Sequence, residues 1–179
     1  MKKSIPGWQV AGFLFTSILG TFLHFLFDLT GQSLPAALVS AVNESIWEHM
    51  KLLFYPMVLF ALVEYRAWGK EVRGFWWGKL LGILVGLVLI PVLYYTYTGI
   101  LGVSADGFNV TIFFIAAGTA FWWETKRFQK AAACPAHPAV ALALIGLIAV
   151  AFTVLTFLPP HIPFFQDPVT GTYGFRALS

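Results

Sequence analysis

Four stretches of this chain, Trp8 to Leu29, Phe75 to Leu101, Phe108 to Trp123 and Ala139 to Leu158, consist almost wholly of apolar and small residues. A bilayer core about 30 Å thick takes roughly 20 such residues to cross as a helix. In lipid every backbone N–H and C=O must be satisfied within the element itself, which leaves helices as the spanning structure for runs of this kind. Only 11% of the 179 residues are charged and 59% are hydrophobic, where a soluble domain carries roughly 25% charged residues. The sequence therefore predicts an all-α, polytopic membrane helical bundle, a single domain over residues 1–179.

A fifth run behaves differently. Leu52 to Val63 is uncharged for only 12 residues, between Lys51 and Glu64, and a helix of that length covers about 18 Å. To cross, it must recruit the polar sequence Asn43-Glu44-Ser45-Ile46-Trp47-Glu48-His49-Met50-Lys51 as its outer turns. The expected spans are 8–29, 44–66, 75–101, 107–125 and 139–158. Gln32 to Val42, with Pro35, is too short to span and suits a short outer helix. The uncharged stretch Ser4 to Phe27 exceeds a signal-peptide core and has no small-x-small cleavage site near its end, so it reads as a retained first helix.

Basic residues set the orientation, because cytoplasmic loops collect Lys and Arg. With five spans, Lys2, Lys3, Arg66, Lys70, Arg73, Lys79, Lys126, Arg127 and Lys130 fall on one side, and only Lys51 and Arg176 on the other. This predicts a multi-pass cell-membrane protein with a cytoplasmic N-terminus and a non-cytoplasmic C-terminus. Trp8, Trp68, Trp76, Trp77, Trp122 and Trp123 fall near the cytoplasmic ends, where indoles anchor at the interface. Glu64 beside Arg66, and Glu124 beside Lys126 or Arg127, read as rim ion pairs. Pro56 and Pro91 lie within spans and free backbone carbonyls there. The net charge of +3 is concentrated in loops and does not point to nucleic acid. Cys134, the single cysteine, excludes an intrachain disulfide. There is no nucleotide-binding loop.

The remaining polar residues gather toward the opposite, outer end. His24 and Asp28 are four apart near the end of the first span and share a face. Glu44 and Glu48 are four apart, with Lys51 and Tyr55 continuing that stripe and His49 about 100° round from Glu48. Tyr94, Tyr95 and Tyr97 reach the same level, and the tail after residue 158 adds His161 and Asp167. His137 alone lies in a cytoplasmic loop. The Pro-rich, aromatic tail is expected to fold back over the outer mouth and bring His161 toward the other polar residues.

Three readings follow from these residues. In the first, His24, Glu48 and His49 hold a divalent metal such as zinc, with Asp28, Glu44 and His161 as further ligands or partners, since zinc takes imidazole and carboxylate ligands. In the second, Glu44 and Glu48 act as general acid and base. In the third, the stretch is structural: Asn43 or Ser45 caps the helix, Glu48 completes a capping box, Glu44 complements the helix dipole and Lys51 pairs with an acid.

The Asn-Glu-Ser-x-Trp-Glu-His-x-Lys stretch, with His24-Phe25 upstream and the Asp167 to Gly174 tail, resembles a family of small bacterial multi-pass membrane proteins of unknown function. The resemblance implies a shared fold and no activity. The leading expectation is binding of a small polar or lipid-linked ligand, or a divalent metal ion, in an outward-facing pocket formed by His24, Asp28, Glu44, Glu48, His49, Lys51, Tyr94 and His161. The alternatives are a membrane-embedded metal-dependent hydrolase and a structural or accessory subunit. The bilayer is the expected partner.

Overall fold

The computed structural model describes residues 4–130 and 137–175. Lys2, Lys3, Cys134 and Arg176 lie outside the described residues. Six α-helices follow in order: α1 Ile5–Leu29, α2 Leu34–Val39, α3 Ile46–Ala67, α4 Phe75–Leu101, α5 Asp106–Lys130 and α6 Pro138–Phe157. Among the described residues the only β-pairing is an isolated bridge between Gln166 and Tyr173.

Local sequence sets most helix ends. Pro6 sits in the first turn of α1, where its missing N–H costs nothing. Ser45 caps α3 by accepting from the Glu48 backbone N–H at 3.4 Å. Gly74 and Gly102 flank α4 in the left-handed conformation, which favours glycine. His137 is the N-cap of α6, its Nδ1 accepting from the Ala139 N–H at 3.3 Å, and so has a local structural role.

Helices α1, α3, α4 and α6 are each long and apolar enough to cross a membrane. Helix α5 carries more polar residues at its ends, but its contacts give its height. Near its start Asn109 accepts a hydrogen bond from Tyr97 in the last turns of α4 at 2.5 Å, and near its end Phe128 stacks on Phe75, the first residue of α4. It therefore runs the full length of α4, antiparallel to it. Gln9 in α1 meets Glu64 in α3, and His24 meets His49, so α1 and α3 are antiparallel as well. The bundle has one end rich in histidine and another rich in lysine and arginine.

Helix α3 is the centre. In its most apolar 18-residue stretch 61% of residues are buried, against 22–33% for the other three candidate spans. This resolves the short apolar run: Glu48, Lys51 and Glu64 meet protein, not lipid. Helix α1 turns Val10, Leu14, Ile18 and Phe22 outward and packs inward through Gln9, Gly12, Thr16, Gly20 and Leu23. Small residues allow this close approach, which drives helix association where lipid offers no hydrophobic gain. At Gly20 a Cβ would lie 2.6 Å from the Leu52 carbonyl oxygen.

Two sequence expectations are corrected at the basic end. Trp68 and Trp76 are buried, packed on Phe75, Phe128 and Tyr65, because the short α3–α4 connection turns back over the bundle; Trp122, 59% exposed, does face outward. Glu64 and Glu124 are not rim ion pairs. Both are fully buried and share Lys79 of α4, so Lys79 no longer counts among the loop charges.

Candidate functional site

The histidine-bearing ends of α1 and α3 and the turn before α3 build the site. His24 lies in the penultimate turns of α1 and His49 in the first turn of α3, their rings 5.3 Å apart. Glu44 stands between them, with one carboxylate oxygen 3.4 Å from His49 Nε2 and the other 3.9 Å from His24 Nε2. His24, Glu44 and His49 each offer a ligand atom within 4.8 Å of the others. Around a tetrahedral zinc with bonds of about 2.0–2.1 Å, ligand atoms sit roughly 3.4 Å apart. Closing on an ion would take side-chain movements on the order of 1 Å.

The arrangement depends on where α3 begins. Because Ser45 is the N-cap, Glu44 precedes the helix and does not follow the four-residue spacing that would align it with Glu48. Asn43 fixes this turn: its Oδ1 accepts from the Ser45 N–H at 2.9 Å and its Nδ2 donates to the Gly174 carbonyl of the tail at 3.3 Å. His49 is oriented by a second contact, Nδ1 lying 3.0 Å from the Ser45 carbonyl oxygen. A carbonyl can only accept, so Nδ1 donates in this contact and Nε2 is the ring nitrogen turned toward Glu44.

Glu48 takes no part in this group. It is turned inward and buried, its Oε2 2.5 Å from Lys51 Nζ and accepting from the Val42 N–H at 3.1 Å. Lys51 also donates to the Ala37 carbonyl and to Thr156 Oγ1, each at 3.0 Å, and the Thr156 hydroxyl donates to Glu48 Oε1 at 2.7 Å. All three ammonium protons and both carboxylate oxygens are used. The capping box is therefore half formed: Ser45 receives the Glu48 N–H, but the Glu48 side chain bonds Val42 and leaves the Ser45 N–H to Asn43.

The other predicted residues are spread around these two groups. Asp28 is exposed, one turn beyond His24. Tyr94 lines a small cavity of about 40 Å³ behind Glu44 and His49. His161 is exposed and lies against Tyr173, with ring centroids 4.7 Å apart, and it is not part of the group formed by His24, Glu44 and His49. The tail does fold back, since Phe175 donates its N–H to the Thr156 carbonyl and packs on Phe27 and Phe157. Its Phe164 and Phe165 close on Trp47, which also packs on Phe152.

A groove of about 380 Å³ opens from the histidines between α1 and α5. Leu52 lines it together with Phe25 of α1 and Val110, Phe113 and Phe114 of α5, and Asn109 adds a polar group. Asn109 was not singled out from the sequence; the available signal was a lone amide at the start of an apolar run.

A family model matches residues 1–175. The chain belongs to DUF6512, a family of unknown function. The DUF6512 match covers both the Asn43 to Lys51 stretch and the described tail, and it assigns neither an activity nor a source. No curated protein and no solved structure matches the chain.

Proposed function

We propose that this protein binds a divalent transition-metal ion, zinc being the best fit, through His24, Glu44 and His49 at the end of the bundle remote from the basic loops. The observation that carries the reading is the convergence of three ligand atoms from α1, α3 and the intervening turn within 4.8 Å, with His49 Nε2 already turned toward Glu44 by the Ser45 contact. Two imidazoles and one carboxylate leave a fourth zinc position open. The adjoining groove supplies the space for a ligand there. By the rule that basic loops stay inside, the site faces the non-cytoplasmic side.

The groove favours binding over hydrolysis. Among the described residues, its only titratable lining groups are His24, Glu44 and His49 themselves. A metal-bound water would thus have no separate carboxylate to take its proton, because Glu48 is engaged by Lys51, Thr156 and Val42. The test is zinc titration of the purified full-length chain in lipid nanodiscs. Binding at one ion per chain, weakened about 100-fold or more by His24→Ala, Glu44→Ala or His49→Ala, supports the site. Unchanged affinity in all three would remove it.

A further inference from the structure

The opposite end of the bundle holds a second group of buried charges that the metal site does not use. Glu64 of α3, Lys79 of α4 and Glu124 of α5 are each no more than 1% exposed. Lys79 Nζ contacts Glu64 Oε2 and lies 2.5 Å from Glu124 Oε2. Gln9 of α1, 2% exposed, donates through Nε2 to Glu64 Oε1 at 2.6 Å. Phe75, Phe121 and Phe128 surround the ammonium with ring centroids 5.5–5.8 Å away. Gly82 of α4 makes the room, since a Cβ there would overlap the Glu124 side chain.

The charges do not balance. Two carboxylates face one ammonium, and among the described residues no second cation meets either carboxylate. Helix α1 contributes Gln9 and no charge at this level. On α3, Arg66 is exposed; in the α3–α4 connection Lys70, Glu71 and Arg73 are exposed. On α5, Lys126 is exposed and lies over the Trp122 ring, while Arg127 lies over Trp123. Two acceptors inside the group, Gln9 Oε1 and Glu124 Oε1, have no hydrogen-bond partner and are buried. An uncompensated charge in such surroundings is expensive, and a buried acid is relieved of it by taking a proton.

We infer that Glu64, Lys79, Glu124 and Gln9 form a proton-binding site in which the two carboxylates hold one proton between them beside a charged lysine. One proton bound to a carboxylate oxygen makes the group neutral; its release, as H⁺ to solvent, leaves a net charge of −1. The site lies one to two helical turns inside the basic end, close enough to exchange with water there. A reversibly loaded proton at this depth is what a proton-linked membrane protein requires.

Infrared difference spectroscopy of the full-length chain in nanodiscs reads this directly. At pH 7, where ordinary carboxyls are ionised, the wild type should show a protonated-carboxyl C=O band that shifts in D2O. Glu64→Gln and Glu124→Gln should each abolish the whole band, because the remaining carboxylate then pairs alone with Lys79. Lys79→Met should double it, and Glu48→Gln should leave it unchanged. Absence of the band in the wild type would overturn the proposal, as would its survival in either Gln variant. If those variants do not fold, the wild type decides in sodium or potassium salt: persistence of the band supports the site, and its loss assigns the position to a metal cation.

Discussion

Each end of the bundle buries a lysine against carboxylate, and the two ends treat the problem differently. At the histidine end Lys51 meets one carboxylate, a hydroxyl and a carbonyl, and every donor and acceptor is used. At the basic end Lys79 meets two carboxylates, and acceptors are left over. Burial costs both groups several kcal/mol of desolvation per ion. The saturated group recovers it through geometry and locks α2, α3 and α6 together, whereas the unsaturated one keeps a place for a proton. A full hydrogen-bond count, more than burial, separates a structural ion pair from a site with capacity to bind.

Removing one partner from each group should break this comparison most visibly. Lys51→Met leaves Glu48 buried without its counter-ion, and loss of one partner of a buried pair costs about 3–5 kcal/mol. Glu124→Gln leaves Lys79 with Glu64 as a balanced pair, and its cost should stay below about 1 kcal/mol, since a neutral amide resembles the protonated acid it replaces. Reversible unfolding in mixed micelles measures both. Comparable losses would mean that the two clusters are alike after all. The double substitution Lys51→Met with Glu48→Gln should recover a large part of the first loss, because it leaves no charge stranded.

A second difference, within the histidine end itself, is access, and it predicts a smaller effect of another kind. Glu44 is about half exposed, at 48%, and His24 and His49 are partly open at 30% and 27%, whereas Glu48 and Lys51 beside them are closed. Glu44→Ala should therefore reduce zinc affinity about 100-fold, near 2.7 kcal/mol of binding, while shifting the melting temperature of the metal-free protein little. Because zinc competes with protons for imidazole nitrogens, affinity in the wild type should fall as pH is lowered from about 8 to about 5. Isothermal titration across that range checks it. A binding curve independent of pH would place the ion elsewhere.

These contrasts also show what a linear reading could see. The apolar runs fixed the long helices to within a few residues, because lipid permits so few alternatives. The short run of α3 correctly implied that ionisable residues enter the bundle. Their partners were less legible. Glu44 and Glu48 are four apart, but Ser45 ends the extended chain between them, so Glu44 turns to His49 and Glu48 to Lys51. That choice rests on capping by Ser45 and on the Asn43 contact with Gly174, 131 positions away. Lys79 reads as a loop charge because it stands near the start of the apolar run Phe75 to Leu101, just after Lys70 and Arg73. Its flanking Gly78, Gly82 and Gly86, spaced by four, were the sign that this face of α4 lies against another helix, where Glu124 comes to meet it.

The finest test of the comparison concerns a single hydroxyl. Thr156 donates to Glu48 Oε1 and accepts from Lys51 Nζ, so it completes the saturated group from α6. Thr156→Val keeps the side-chain shape and removes both bonds, leaving one ammonium proton and one carboxylate lone pair without partners. Hydrogen bonds to charged groups contribute about 1.5–3 kcal/mol each, but the Lys51–Glu48 contact remains and the ends of both side chains can readjust. The net loss should then be about 1–2 kcal/mol, smaller than for Lys51→Met. The same hydroxyl ties the end of α6 to α3, so the loss should be accompanied by faster hydrogen exchange at the Phe175 amide, which donates to the Thr156 carbonyl. Unchanged stability and exchange in Thr156→Val would show that the ion pair holds without saturation, and the distinction between the two ends would then rest on charge count alone.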